Sequence, residues 1–122
     1  MEKMVHAGKA KAIGISNFDK AQMEHLLKNT SIIPAVHQME VHPWLQQREF
    51  TEWNRAQGIH ITQYSPFGNL NPIYGAGNLG RLIDEPVLKD IGKDHDKSGS
   101  QVCLGKDPNK TNMILVLTTT TT

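Results

Sequence analysis

The sequence predicts an α/β fold in which strands and helices alternate around a parallel sheet. Three observations predict it. Apolar runs of strand length alternate with segments of helical periodicity, helix caps follow the strands, and polar clusters stand where the strands end. Of the 122 residues, 38% are hydrophobic and 20% are charged, which is typical of one small globular domain with a modest core.

The first predicted strand runs from Lys11 to Ile15. Before it, Gly8 is placed to end a short helix whose apolar face comprises Met1, Met4 and Val5. After it, Asp19 and Gln22 have the spacing of a capping box, in which the side chain of each residue accepts a hydrogen bond from the backbone N–H of the other. They predict a second helix, with a buried stripe of Met23, Leu26 and Leu27.

Two further strands are predicted at Ala35–Met39 and Ile59–Tyr64. Between them, helical periodicity over Gln46–Gln57 predicts a helix that buries Phe50 and Trp53.

The last third of the chain contains a long predicted loop, residues 65–83, followed by two helices. Pro86 is placed to open the first helix, with Asp84 or Glu85 as its cap. Ser98 and Gln101 form a second capping-box pattern that opens the other. Residues 105–122 contain an interrupting proline and five terminal threonines, so we predict a disordered tail there.

Composition excludes several classes of function. The formal net charge is +1, and no stripe of lysine and arginine is present to neutralise a nucleic-acid backbone. No stretch reaches the roughly 18 apolar residues of a membrane span. Cys103 is the only cysteine, so an internal disulfide is impossible and a reducing compartment is favoured. We therefore expect a cytoplasmic protein that binds neither nucleic acid nor membrane.

Polar side chains stand at the ends of all three predicted strands: Ser16 and Asn17, Gln38, and Tyr64 with Ser65. In parallel α/β structures, ligands collect at the carboxyl ends of strands. Hydroxyl and amide groups there can pair with a ligand that both donates and accepts, such as a carboxamide, and a tyrosine ring offers a flat face to an aromatic ring. The alternative is that these residues serve only as caps and turns.

Three stretches resemble signatures of one family: Lys11–Phe18, Pro34–Pro43 and Tyr64–Gly68. In their residues, their order and their spacing, these stretches are similar to the aldo-keto reductases, in particular to fungal xylose, glycerol and aldehyde reductases. The family is a (β/α)8 TIM-type barrel that reduces aldehydes and ketones with NADPH. The resemblance implies that residues 1–104 form a partial barrel, approximately strands five to seven with their helices, and that residues 105–122 are a tail foreign to the family.

The resemblance also implies roles for individual residues. Ser16, Asn17 and Gln38 match the positions that hold the nicotinamide carboxamide, and Tyr64 matches a tyrosine that stacks on the nicotinamide ring. Three more residues fall in the loop that wraps the cofactor's pyrophosphate: Ser65, Phe67 and Asn69. His37 departs from the asparagine common at its position, and we interpret it as a strand-end histidine with a local partner rather than a catalytic base.

Parts of the family pattern are not found in this sequence. The family's tyrosine general acid, with its assisting lysine, aspartate and histidine, comes from earlier strands, so no catalytic residue is predicted. The final Lys-Ser motif that grips the 2′-phosphate of NADP is absent as well. We expect a reductase fragment that keeps part of the nicotinamide site and is inactive alone, with self-association through open sheet edges. The alternative is a non-catalytic regulatory or assembly fragment of a barrel.

Two other patterns are weaker. Residues 75–80 formally match G-x-G-x-x-G, but no strand precedes them directly and no helix begins at their end, so we interpret them as a surface loop. The six histidines include no pair at helical spacing on one face, so a metal site is not predicted.

Overall fold

A computed structural model describes residues 1–68, residues 80–105 and the strand at 114–115. Within them the helices are α1 (Glu2–His6), α2 (Lys20–Asn29), α3 (Arg48–Ala56), α4 (Pro86–Asp94) and α5 (Gly99–Cys103), with a 3-10 helix at Leu82–Asp84. The strands are β1 (Gly14–Ser16), β2 (Val36–Glu40), β3 (His60–Tyr64) and β4 (Ile114–Leu115). The order in the sheet is β1-β2-β3-β4, and β1 pairs with β2 in parallel.

The predicted alternation of strands and helices is present, but β1 is shorter than predicted and begins later. Its register pairs Gly14 with Val36, so Ala12 would face Pro34. Proline has no N–H to give to a ladder, and the regular pairing therefore begins only beyond it. At Gly14 the two strands lie so close that an added Cβ would stand 2.8 Å from the Val36 carbonyl oxygen.

Helix α3 also differs from its prediction. It begins at Arg48 rather than Gln46, because Gln47 has a positive φ of 44°, a left-handed conformation that a right-handed helix cannot include. Phe50 and Trp53 are half-buried, and the fully buried residue of this helix is Asn54. The predicted burial of the aromatic pair is thus correct only in part.

The chain divides into two compact units. The first comprises Met1–Met39 and Gln47–Thr62, and the second comprises Glu40–Gln46 and Gln63–Thr122. The first unit buries the following residues: Met23, His37, Met39, Asn54, Ile59, Ile61 and Thr62.

A carboxylate near the start of the chain anchors α1 within the first unit. One oxygen of Glu2 accepts hydrogen bonds from the Thr30 hydroxyl, from the Ile32 amide, and from both the hydroxyl and the amide of Ser31. Led by the Thr30 contact, these four donors lower the pKa of Glu2 from 4.5 to about 2.

In the second unit, the 3-10 helix, α4 and α5 pack together. Their core contains Leu82, Leu88 and Cys103. Both predicted capping boxes are present in the chain, Asp19 with Gln22 at α2 and Ser98 with Gln101 at α5. Pro86 opens α4 as predicted, and Glu85 is its cap residue without a side-chain capping bond.

Several predictions fall partly or wholly outside the described residues. The loop prediction is described only at residues 65–68 and 80–83, and the G-x-G-x-x-G segment only at Gly80. The predicted tail is described at Gly105 and at β4.

Candidate nicotinamide site

The ends of β1 and β2 bring Ser16, Asn17 and Gln38 together. Ser16 pairs in register with Gln38, and the Asn17 N–H donates a 2.9 Å hydrogen bond to the Gln38 carbonyl. In-register residues of adjacent strands point to the same face of a sheet. One hydroxyl and one carboxamide side chain are therefore neighbours on one face, with a second carboxamide at the next residue.

Helix α3 packs against the other face. His37, the neighbour of Gln38 in β2, contacts Asn54 and Phe50 of α3, with 3.0 Å between His37 Nδ1 and Asn54 Oδ1. Since side chains alternate along a strand, Gln38 points away from α3. Ser16 is exposed and Gln38 is half-buried, so both can reach a ligand without displacing the core.

Asn17 has the backbone conformation that turns β1 into the next helix. Its φ is 58°, in the left-handed region that asparagine tolerates better than most residues. Two residues later Asp19 begins the capping box, in which its carboxylate accepts from the Gln22 amide at 2.8 Å. Strained residues of this kind concentrate at functional sites, and the exposed Asn17 side chain extends from this turn.

The end of β3 is a tight turn. Ser65 has a φ of 49°, and its carbonyl accepts a 3.0 Å hydrogen bond from the Gly68 amide. Gly68 has a φ of 72°, and an added Cβ would stand 3.3 Å from the Trp44 ring. Tyr64 and Ser65 are half-buried and Phe67 is 38% exposed. Asn69, the last predicted pyrophosphate residue, lies outside the described residues.

The sequence prediction missed one part of this region, the buried pair His37 and Asn54. A local partner was expected for His37, but Asn54 was not identified as that partner. The sequence spacing indicates the position of Asn54: it follows Phe50 by four residues, so it lies on the same side of α3. A polar residue on an apolar helix face needs a buried partner.

Comparison with known proteins identifies the family. The model of the aldo/keto reductase family matches residues 1–76, which contain every predicted site residue. The chain belongs to this family. Among curated relatives, an uncharacterized oxidoreductase of Schizosaccharomyces pombe is 47% identical over 93 residues, 76% of this chain and 29% of the relative. The Bacillus subtilis glyoxal reductase is 39% identical over 107 residues, 88% of this chain and 35% of that enzyme.

Solved structures of family members are similar to this chain. An aldo/keto reductase from Brucella melitensis superposes with a TM-score of 0.76 at 32% identity, covering 98% of this chain and 42% of that one. An aldo-keto reductase complexed with NADPH superposes with a TM-score of 0.80 at 33% identity, covering 98% and 37%. The sheet and helices of this aldo-keto reductase chain are consistent with part of a (β/α)8 barrel. The chain spans about a third of the length of the curated relatives it matches.

Among the described helices, none combines the length and apolar character that crossing a membrane requires.

Proposed function

We propose that this aldo-keto reductase chain supplies strands five to seven of a barrel and, with them, the nicotinamide-binding part of an NAD(P)H-dependent carbonyl reductase. Ser16, Asn17 and Gln38 hold the carboxamide, and Tyr64 stacks on the nicotinamide ring. The pyrophosphate is wrapped by Ser65, Phe67 and Asn69. Support comes from the family match over residues 1–76 and from a similar structure that is complexed with NADPH.

One observation carries the proposal: the register that pairs Ser16 with Gln38 and ties the Asn17 amide to the Gln38 carbonyl. A carboxamide ligand needs acceptors for its N–H groups and a donor for its oxygen. The hydroxyl of Ser16 and the amides of Asn17 and Gln38 offer both kinds of group. The donor set therefore fits a nicotinamide amide better than it fits an anion, for which positive charge would be expected.

The bound cofactor would supply the hydride for reduction of a carbonyl carbon. The residues of this chain would bind and orient that cofactor: the side-chain amides of Asn17 and Gln38 would hold its carboxamide, and the Tyr64 ring would stack on its nicotinamide. In this proposal the proton for the carbonyl oxygen comes from the family's tyrosine on an earlier strand. General-acid help of this kind contributes about 10²–10⁴-fold to rate.

A fluorescence titration of NADPH into the purified chain tests the proposal. We expect saturable binding that Asn17→Ala and Gln38→Ala each weaken, while Glu24→Ala on the exposed side of α2 leaves it unchanged. An NADPH-oxidation assay with an aromatic aldehyde should show no turnover by the chain alone. The absence of saturable binding would contradict the proposal.

A further inference from the structure

His37 is fully buried, and both nitrogens of its ring are in hydrogen bonds. Its Nδ1 lies 3.0 Å from Asn54 Oδ1, and its Nε2 lies 3.2 Å from the backbone nitrogen of Phe18. The rings of His37 and Phe50 are in a T-shaped arrangement, with a centroid distance of 5.6 Å and an interplanar angle of 84°. The histidine thus connects α3 to the turn that follows β1.

The backbone groups at the two ends of this network determine its direction. The Asn54 side-chain nitrogen donates to the Phe50 carbonyl at 2.8 Å, and a carbonyl can only accept. Asn54 therefore presents its oxygen to His37, and His37 must donate from Nδ1. Its Nε2 is then the unprotonated nitrogen, which is the acceptor that the Phe18 N–H requires.

The Phe18 amide directly follows the strained Asn17. The Asn17 amide is held by the Gln38 carbonyl, and the Phe18 amide is held by the His37 ring. Two consecutive amides are therefore tied to two consecutive residues of β2. The acceptor for the Phe18 amide is a side chain, so that hydrogen bond depends on the residue at position 37. The acceptor for the Asn17 amide is a backbone carbonyl, which any residue at position 38 supplies.

We propose that His37, held in its Nδ1–H form by Asn54, is a positioning residue that fixes the Asn17–Phe18 turn and so orients Asn17 toward the nicotinamide carboxamide. This inference rests on the nicotinamide site proposed above. His37 itself does not touch the cofactor, because it lies on the face of β2 that packs against α3.

Two substitutions of His37 distinguish a role in positioning the Asn17–Phe18 turn from a role in filling the core. A glutamine side chain can place its amide oxygen near the position of Nε2, whereas an asparagine amide reaches only the position of Nδ1. We therefore expect His37→Gln to keep the Phe18 contact and His37→Asn to lose it. Phe18 amide hydrogen exchange should accelerate at least several-fold more in His37→Asn than in His37→Gln. Nicotinamide mononucleotide should bind several-fold more weakly to His37→Asn, with rescue by His37→Gln.

Measurements on the unsubstituted chain keep the test independent of how the variants fold. The ¹⁵N chemical shifts of the His37 ring should report a protonated Nδ1 and an unprotonated Nε2. The opposite tautomer, or equal Phe18 exchange in the two variants, would overturn the inference. If the unsubstituted chain does not bind the mononucleotide while the tautomer and exchange results hold, the nicotinamide site fails and the anchoring of the turn by His37 stands.

Discussion

One carboxylate oxygen of Glu2 lies 2.7 Å from the hydroxyl oxygen of Thr30 and accepts its hydrogen bond. The same oxygen accepts from Ser31 and Ile32, so the Thr30–Ile32 segment encloses a single charged atom. Because these donors favour the ionised form, the pKa of Glu2 falls from 4.5 to about 2 on folding. This cluster ties α1 to the segment that leads into β2.

We expect Glu2→Gln to lower the stability of the chain at neutral pH. The folded-state pKa is below the unfolded one, so the contribution of Glu2 is complete above about pH 4.5 and is lost as the pH falls toward 2. Urea denaturation at several pH values should therefore show a difference from the unsubstituted chain that shrinks in acid. Glu24→Gln, an exposed position on α2, is the control, and a Glu2 effect that stays constant with pH would contradict the prediction.

The capping box at α2 should stabilise the turn beside the candidate site. Asp19 accepts from the Gln22 amide and Gln22 accepts from the Asp19 amide, each at 2.8 Å. Asp19→Ala should lower the free energy of unfolding by about 0.5–2 kcal/mol, whereas Asp19→Asn, an equally good cap, should cost less. Urea denaturation measures both, and equal losses would show that the cap hydrogen bond is not the cause.

Cys103 should react slowly in the folded chain. It is 6% exposed in the core of the second unit, and burial raises the pKa of its thiol, which disfavours the reactive thiolate. A colorimetric disulfide reagent should label it slowly in buffer and rapidly in denaturant. Because it is the only cysteine, labelling reports this residue alone. Equal rates in the two conditions would mean that the α4–α5 unit does not stay packed in solution.

We predict that the chain self-associates through β1. Among the described strands, β1 is the last one at its end of the sheet, and a groove of about 520 Å³ beside it is lined in part by Ile13, Ile15 and Leu26. Unprotected edges and exposed apolar surface favour pairing with another chain. Light scattering during size-exclusion chromatography should give a mass that rises with concentration. A sharp 13.6 kDa monomer at all concentrations would contradict this prediction.

Capping boxes predicted the starts of α2 and α5 correctly, whereas local patterns placed the starts of α3 and β1 too early and did not identify the buried polar pair. Asp19 and Ser98 were identified as caps because a capping box depends only on residues within one turn. The start of β1 depends on Pro34, which lies in another segment, and was placed too early. The burial of Asn54 depends on His37, which is seventeen residues away, so only the folded chain shows that the two meet.

The family motifs identified the candidate site residues. Local sequence patterns did not predict which residues lie next to them in the folded chain. The sequence placed Ser16 and Gln38 at strand ends, but their pairing depends on the register between two strands and is seen only in the folded chain. The left-handed turns at Asn17 and Ser65 were not predicted. Neither residue is a glycine; asparagine is enriched at positive φ, but residue type alone does not show which asparagine adopts it, and serine gives no such indication.

In a chimera with the remaining barrel segments of a relative, Tyr64→Ala should weaken NADPH binding several-fold. Aromatic stacking contributes about 0.5–1.5 kcal/mol beyond area burial. Gly75→Ala should leave the affinity nearly unchanged if the G-x-G-x-x-G match is accidental. A fluorescence titration compares the two variants, and the reverse ranking would favour a phosphate-binding role for the glycine segment.

In the proposed site, Ser16, Asn17 and Gln38 bind the nicotinamide carboxamide. The most direct measurement is a titration of ¹⁵N-labelled chain with nicotinamide mononucleotide, followed by amide and side-chain NMR resonances. We predict saturable shifts at the side-chain amides of Asn17 and Gln38 and at the backbone of Ser16. Shifts confined to other residues, or no shifts at saturating ligand, would contradict it.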